Sequence, residues 1–171
     1  MAPTIALVPA TRADHPVFQN MGRLYVYDMS RYCGHLPGWE LPEDGLYECM
    51  DFAPYFESVD VHPFFVHVDG VIGGFVVVER FPDIDGWTME QFFVLARFQR
   101  LGVGARVAAE VWRRFPGPWC VEVIPENRRA YLFWKHAVER VAGGVYRDAV
   151  EDRIYEGVRT ERNVFRFATG S

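Results

Sequence analysis

A glycine-containing turn, Gln99 to Ala105 (QRLGVGA), carries the residues best suited to binding an anion. Gly102 and Gly104 permit positive φ angles and a close approach of the backbone, so successive N–H groups can converge on one negative group. The helix pattern that follows would direct the positive end of its dipole to the same point. Fixed positive charge is available nearby from Arg97, Arg100 and Arg106. These residues predict a phosphate-binding loop.

The turn lies between an apolar segment and an amphipathic segment, which would hold it in place. Met89 to Leu95 has the apolar character of a buried strand. After the turn, apolar residues recur at helical spacing, namely Val107, Ala108, Val111, Trp112 and Phe115. The sequence therefore predicts a strand–turn–helix unit around the loop.

Two other phosphate-binding loops are excluded by the residues that follow the glycines. A P-loop ends in Gly-Lys-Ser/Thr, whereas Gly104 is followed by Ala105 and Arg106. A dinucleotide-binding fingerprint needs a third glycine where Val107 stands, and it belongs early in a βαβ unit.

The turn resembles the Gln/Arg-x-x-Gly-x-Gly/Ala motif of the GNAT superfamily, the acyl-CoA-dependent N-acyltransferases. A second block supports the resemblance, because a strand pattern from Trp119 to Ile124 precedes an Asn-x-x-Ala-x-x-Phe segment at a helix start. The order of elements is similar from about Phe64 to Val141. The matching residues are Gln99, Gly102 and Gly104 in the first block, and Asn127, Ala130 and Phe133 in the second.

The resemblance implies an α/β (α+β) fold in which a mixed central sheet of about six to seven strands is flanked by helices. It implies one GNAT-like domain over residues 1–171. It also implies acetyl-CoA as co-substrate and transfer of the acetyl group to a primary amine of a small acceptor. In this superfamily the amine attacks the thioester directly within a ternary complex.

The resemblance also assigns the residues that would contact acetyl-CoA. A backbone N–H of Val94 or Leu95, just before the turn, would lie near the thioester carbonyl. The second block would contribute Asn127, Phe133 and Trp134. Backbone amides of the turn would hold the pyrophosphate, and the turn comprises Gln99, Arg100, Leu101, Gly102, Val103, Gly104 and Ala105.

Proton transfer is the step for which the sequence departs from the superfamily pattern. Glu90 is the candidate general base, directly or through water, and strand alternation would place it on the same side as Phe92 and Val94. The alternative is an exposed carboxylate at the end of the strand. The tyrosine that often protonates the leaving thiolate is replaced by Trp134, whose indole N–H cannot act as a general acid. Tyr131, one helical turn earlier, is the candidate substitute; the alternative is a thiolate that leaves unprotonated or takes its proton from water. The replacement favours the alternative function, a catalytically silent CoA-binding or protein-interaction module.

The distribution of charged residues along the chain predicts a positively charged acceptor. Between Tyr32 and Glu79 there are nine acidic residues and no Lys or Arg, whereas fifteen of the basic residues lie from Arg80 onward. A cationic acceptor and an anionic co-substrate would produce this asymmetry, as would solvated acidic loops. Asp28 falls within an apolar helical stripe and is the candidate to bind the amine; a bond to a backbone N–H or an arginine is the alternative. Aromatic residues of the acidic segment suit a cation or ordinary packing, namely Tyr32, Trp39, Tyr47 and Tyr55.

Composition narrows the remaining classes of function. The net charge of −5 over 171 residues argues against general nucleic-acid binding. The sequence has no apolar run of the roughly 20 residues needed to span a membrane, and its start does not resemble a signal peptide. Cys33, Cys49 and Cys120 suggest reduced thiols in the cytoplasm. No His or Cys spacing predicts a metal site. A homodimer is compatible with the sequence.

The other elements follow from turn chemistry and periodicity. A helix is expected from Asp14 to about Arg31, with an apolar stripe formed by Val17, Phe18, Met21, Leu24, Tyr25 and Met29. A β-hairpin at Asp69-Gly70 joins strands from Phe64 to Glu79. Gly73-Gly74 suggests a bulge in that hairpin or a close backbone neighbour. Short helices are expected near residues 45–50 and 55–59, and a closing antiparallel pair over residues 146–153 and 162–167.

Overall fold

The computed structural model describes residues 2–155 and 157–170, over which the chain forms seven strands and three α-helices. The strands are β1 (Ile5–Pro9), β2 (Val61–Val68), β3 (Val71–Phe81), β4 (Gly86–Val94), β5 (Gly117–Val123), β6 (Tyr146–Tyr155) and β7 (Val158–Thr169). The helices are α1 (His15–Cys33), α2 (Val103–Arg114) and α3 (Arg128–Val141).

All seven strands belong to one sheet with the order β1-β2-β3-β4-β5-β7-β6. Neighbouring strands are antiparallel except for β4 and β5, which are parallel. A parallel pair requires a crossover connection, and the chain supplies one through α2. The predicted mixed sheet and α/β class are thus confirmed.

Helices cover both faces of the sheet. The face covered by α2 and α3 contains the larger core, to which α2 contributes Val103, Val107, Ala108, Val111 and Trp112, and α3 contributes Trp134, Ala137 and Val138. The opposite face, which we call the α1 face, contains a smaller aromatic core formed by Phe18, Met21, Phe52, Phe65, Phe75 and Phe93 with two valines. Burial of each large apolar side chain stabilises the fold by about 1.5–3 kcal/mol.

The predicted β-hairpin is confirmed in detail. Asp69 and Gly70 form its turn with φ angles of 50° and 82°, a left-handed conformation that suits Asp-Gly. The register shifts between the pairs Val66–Gly74 and His67–Ile72, so Gly73 is an extra residue in β3. A Cβ atom at Gly73 would lie 2.6 Å from Val68 Cγ2. The bulge therefore requires glycine at this position.

The first half of the chain differs from the sequence-based expectation in three places. Residues 45–50 form no helix, and the second short helix is a 3-10 turn at Ala53–Phe56. Helix α1 forms as predicted, but its buried stripe is narrower, because Val17 and Leu24 are 44% and 48% exposed. The smaller aromatic core therefore buries less of the surface of α1 than the spacing of its apolar residues predicted.

Candidate active site

The parallel strands β4 and β5 pair over a short stretch and then diverge. In residues 2–155 and 157–170, they pair at Trp87 with Trp119 and at Thr88 with Cys120. Beyond these positions, β4 remains paired with β3 and β5 with β7. The divergence leaves an opening beside the C-terminal half of β4, which we call the β4–β5 gap.

The backbone of β4 directs one predicted N–H donor into this gap. Leu95 N–H donates to the carbonyl of Gly73 at 2.8 Å, so this group is already bonded within the sheet. Hydrogen-bonded and non-bonded pairs alternate along antiparallel strands. Val94, opposite Gly74, therefore points its N–H away from β3 and toward the gap. Of the two candidates, Val94 is the one that can donate to a carbonyl oxygen in the gap.

The glycine turn after β4 has the geometry of an anion-binding loop. Arg100 and Gly102 adopt left-handed conformations with φ angles of 63° and 74°. Because α2 begins at Val103, the N–H groups of residues 103–105 belong to its first turn and lack carbonyl partners within the helix. Gln99 Nε2 donates to the carbonyl of Val94 at 2.8 Å and so ties the turn to the end of β4.

The side chains around the turn have different surroundings. Val103 is fully buried, whereas Leu101 is 57% exposed. Arg106 Nη1 donates to the carbonyl of Pro3 at 2.6 Å, and the Arg97 guanidinium lies 5.2 Å from the Phe98 ring. Arg106 thus ties α2 to the N-terminal segment, so its charge is partly committed to the fold.

Gly104 allows α3 to pack close to the turn. A Cβ atom at this position would lie 3.2 Å from Phe133 Cε2 and 3.8 Å from Phe92 Cε1. The ring centroids of Phe92 and Phe133 are 5.7 Å apart, and those of Phe92 and Trp134 are 4.9 Å apart. Phe92, Phe133 and Trp134 therefore form an aromatic cluster between the end of β4 and the start of α3.

The second sequence block positions α3 beside the gap. Asn127 Oδ1 accepts a hydrogen bond from the N–H of Ala130 at 2.9 Å and caps the helix. Asn127 Nδ2 lies 3.5 Å from Met29 Sδ, a contact that joins α3 to α1. Trp134 is 5% exposed and belongs to the larger core. The Asn and Trp positions thus have structural roles in addition to the co-substrate contacts predicted for them.

Glu90 lies on the opposite side of β4 from the one predicted. The register with β3 shifts between Val77–Gln91 and Val78–Met89, so Glu90 is the extra residue of a β-bulge. Its carboxylate Oε1 accepts a 2.9 Å hydrogen bond from Tyr55 Oη on the α1 face. Phe92 and Val94 instead pack into the core on the other face. Side chains alternate between the two faces of a regular strand, but the extra residue of a bulge shifts this alternation by one position. Glu90 therefore lies on the opposite face from Phe92 and Val94.

Tyr131 is directed away from the β4–β5 gap. Its hydroxyl donates to Asp148 Oδ2 on the edge strand β6 at 2.8 Å, and its ring lies 5.5 Å from that of Phe165 on β7. The bond to Asp148 raises the pKa of Tyr131, since the charged acceptor favours the protonated phenol. The structure therefore does not bring Tyr131 together with Glu90 and Val94.

Asp28 and Glu90 both influence the phenol of Tyr25 on the α1 face. The Oδ1 atom of Asp28 lies 3.4 Å from Arg31 Nε, and its side chain is 20% exposed. Burial raises the pKa of Tyr25 to about 12, and the charges of Glu90 and Asp28 add to this effect. Both carboxylates thus lie near one phenol on the α1 face. The arginine contact considered for Asp28 is also present.

Further residues near the gap were not singled out from the sequence. Glu122, on β5, accepts hydrogen bonds from Arg153 Nε at 2.6 Å and from Tyr155 Oη at 2.7 Å. The pKa of Tyr155 rises to about 12 through burial, its bond to Glu122 and, more weakly, the charge of Glu90. Glu122 lies in the strand that precedes the second block. A polar residue between two buried ones is found in many half-exposed strands, so the sequence carries no specific signal for Glu122.

Two features are absent from residues 2–155 and 157–170. No group of three or more His, Cys, Asp and Glu side chains there is arranged to hold a metal ion. Within the same residues, no helix is both long enough and apolar enough to cross a membrane.

No protein-family model and no curated protein sequence matches this chain. Its fold, however, is similar to those of solved acetyltransferases. An aminoglycoside acetyltransferase in complex with coenzyme A has a TM-score of 0.64 at 12% identity, covering 96% of this chain and 95% of that one. The Escherichia coli ribosomal-protein-S18-alanine N-acetyltransferase has a TM-score of 0.61 at 13% identity, covering 98% and 96%.

A third structure, assigned to the GNAT family of acetyltransferases and originating from Desulfovibrio desulfuricans, has a TM-score of 0.58 at 15% identity. The match covers 98% of this chain and 100% of that chain. The chain therefore has the GNAT fold, and the resemblance seen in the sequence is confirmed at the level of the fold.

Proposed function

We propose that this protein is a GNAT N-acetyltransferase that transfers the acetyl group of acetyl-CoA to a primary amine. The observation that carries the proposal is the β4–β5 gap, toward which Val94 N–H points and at whose end the glycine turn begins. The solved structure with coenzyme A that shares this fold supports acetyl-CoA as the co-substrate. The chain would act as one domain, because all seven strands share one sheet.

In this proposal, the N–H groups of residues 103–105 and the dipole of α2 bind the pyrophosphate. The thioester carbonyl then lies in the gap and accepts a hydrogen bond from Val94 N–H. When the amine nitrogen attacks the carbonyl carbon, negative charge develops on its oxygen, and this donor stabilises it. One such donor accounts for about 2.7–4 kcal/mol of transition-state stabilisation in other acyl-transfer enzymes.

Proton transfer follows from the placement of Glu90. The acceptor arrives as an ammonium ion and must lose a proton to Glu90, directly or through water, before its lone pair can attack. Collapse of the tetrahedral intermediate breaks the C–S bond and releases the CoA thiolate, and the nitrogen of the new amide gives up its second proton to water. Because Tyr131 is bonded to Asp148 and Trp134 is buried, the thiolate takes its proton from water.

We propose a cationic acceptor because carboxylates predominate on the α1 face beside the gap. Glu79 and Glu90 lie on neighbouring strands there, and burial together with the charge of Glu90 raises the pKa of Glu79. Asp28 lies close to the same region through Tyr25. A bound ammonium ion would relieve this repulsion, since opposite charge favours the ionised carboxylates.

The proposal is tested by incubating the purified protein with acetyl-CoA and a panel of amines, with release of free thiol as the readout. The panel should contain polyamines, aminoglycosides, an amino acid, a peptide N-terminus and lysine. Amine-dependent thiol release and a mass gain of one acetyl group on the amine are the expected results. The absence of transfer to any amine, with intact acetyl-CoA binding, would instead support the silent CoA-binding module.

A further inference from the structure

Glu90 has a specific hydrogen-bond donor on a segment that sequence motifs do not mark. Tyr55 belongs to the 3-10 turn Ala53–Phe56, and its hydroxyl lies 2.9 Å from Glu90 Oε1. The ring of Tyr55 packs edge-on against that of Phe52 at 5.5 Å, and Phe52 is 1% exposed. A buried aromatic residue therefore fixes the donor in place before any ligand binds.

The single proton of Tyr55 has two acceptors within reach. Met50 Sδ lies 3.2 Å from the hydroxyl, whereas Glu90 Oε1 lies 2.9 Å away. A thioether is a weak acceptor, and hydrogen bonds to an ionised carboxylate are roughly twice as strong as neutral ones. The proton is therefore directed to Glu90.

Within residues 2–155 and 157–170, the other groups whose pKa values respond to the charge of Glu90 are phenols and a carboxyl, none of which is positively charged. They are Tyr25 on α1, Glu79 on β3 and Tyr155 on β6, each of whose pKa values is raised in part by the charge of Glu90. Burial, followed by the charge of Glu90, also raises the pKa of Tyr55, so this phenol remains a protonated donor at neutral pH. The Tyr55 hydroxyl is the group among these four that donates a hydrogen bond to Glu90.

We infer that Tyr55 is a positioning residue for acetyl transfer, which fixes the Glu90 carboxylate on the α1 face beside the β4–β5 gap. The inference rests on the proposed function, in which Glu90 accepts the proton of the acceptor ammonium. It also connects the acidic segment between Tyr32 and Glu79 to the chemistry, because that segment contributes Tyr55.

The test is the Tyr55→Phe variant, which removes the hydroxyl and keeps the ring that packs on Phe52. The matched control is Tyr146→Phe, which deletes the same kind of bond, from Tyr146 Oη to Glu139 Oε1 at 2.8 Å, on the other side of the sheet. With the best amine of the panel, kcat/KM is measured from pH 5 to 9.

A hydrogen bond donated to a carboxylate stabilises its charged form, so the acidic limb of the pH profile of kcat/KM for Tyr55→Phe should move to higher pH. The limb of Tyr146→Phe should coincide with that of the parent, and KM for acetyl-CoA should change less than about twofold in both. A structural defect alone would lower the rate without moving the limb. An unmoved limb in Tyr55→Phe overturns the inference.

A second measurement separates this inference from the proposed function. The carboxyl carbon of Glu90 is followed by NMR in protein labelled with 13C-glutamate, with Glu90→Gln used to assign the signal. If the parent transfers no acetyl group, the proposed function fails, and the titration still reports on the contact. A higher titration midpoint in Tyr55→Phe than in the parent and Tyr146→Phe supports the positioning role, and an equal midpoint refutes it.

Discussion

At the scale of single residues, Gly104 has the most sharply defined requirement. Its missing side chain leaves space for the Phe133 ring, which a Cβ atom would approach to 3.2 Å. The glycine therefore serves the packing of α3 as well as the close approach of a phosphate to the first turn of α2.

We predict that Gly104→Val weakens acetyl-CoA binding at least about tenfold, a difference of about 1.4 kcal/mol. The added methyl groups would displace Phe133 and occupy the space next to the turn. Isothermal titration with acetyl-CoA measures the effect. Ala109→Val, an exposed position of the same helix, controls for the lower helix propensity of valine. Equal affinities for the two variants would show that the phosphates bind elsewhere.

A second prediction at this scale concerns the acceptor. Asp28→Asn should raise the KM of the acceptor or lower kcat/KM by about tenfold, equivalent to about 1.4 kcal/mol of transition-state stabilisation. Acetyl-CoA affinity should remain within about twofold, because Asp28 is on α1 and the glycine turn is followed by α2 on the other face.

Asp44→Asn, at an exposed position of the acidic segment, is the matched control for this charge change. A similar loss in both variants would indicate general attraction by the segment rather than a contact at Asp28. A preference of the parent for neutral acceptors would contradict the charge argument altogether.

Residue chemistry predicted the glycine turn but not the side of β4 on which Glu90 lies. The turn is a local feature, because glycine readily adopts the left-handed conformation that Gly102 has here. The bulge at Glu90 exists only in the register of β4 against β3, which sequence alternation cannot reveal. Tyr55 was visible only as one of several aromatics, since its partner lies 35 residues away.

At the scale of elements, the strands β5, β6 and β7 carry an ion-pair network on the α1 face. Glu151 on β6 lies 2.8 Å from Arg153 Nη2 and 3.0 Å from Arg166 Nη2 on β7. The hydrogen bond from Arg166, with that from Arg153, lowers the pKa of Glu151 from 4.5 to about 2. The network therefore joins the edge strand to the sheet through charge as well as through the backbone.

We predict that Glu151→Gln lowers the free energy of unfolding at pH 7 by about 1 kcal/mol. Because the folded pKa lies below the unfolded value, the stabilisation by Glu151 is present above pH 4.5 and is lost as the pH falls toward 2. The variant should therefore lose less stability than the parent over this window. Urea unfolding at several pH values measures both effects.

Glu161→Gln, at an exposed position of β7, should leave the pH dependence of unfolding close to that of the parent. If Glu151→Gln followed the parent curve between pH 4.5 and pH 2, the network would not contribute to stability.

Element prediction succeeded where the signal was local and failed where packing decided the outcome. The Asp69-Gly70 hairpin and its bulge at Gly73 follow from turn chemistry and glycine placement. The stripe of α1 was overestimated, because the apolar pattern does not show how much of the helix surface the small core can cover. Residues 45–50 remain without a helix, as no packed apolar face supports one.

At the scale of the whole molecule, a ligand that binds only the folded state raises the melting temperature. At one hundred times its dissociation constant, acetyl-CoA should add about 2.7 kcal/mol, or about 5–10 °C for a domain of this size. We predict that NAD and ATP produce much smaller shifts, because the P-loop and dinucleotide signatures are absent from the turn sequence.

Thermal denaturation with each ligand at millimolar concentration tests this expectation, and Gly104→Val should lose most of the acetyl-CoA shift. An unchanged melting temperature of the parent with acetyl-CoA would overturn the co-substrate assignment.

The short pairing between β4 and β5 has a consequence for amide hydrogen exchange. Along the end of β4, N–H groups that face β3 alternate with N–H groups that face the gap. Phe93 and Leu95 should therefore exchange slowly with deuterated solvent, while Phe92 and Val94 exchange fast. A single strand in the middle of a seven-stranded sheet would thus show the protection pattern of an edge strand. Bound acetyl-CoA should slow Val94 in particular, as if a missing strand had been supplied by the ligand.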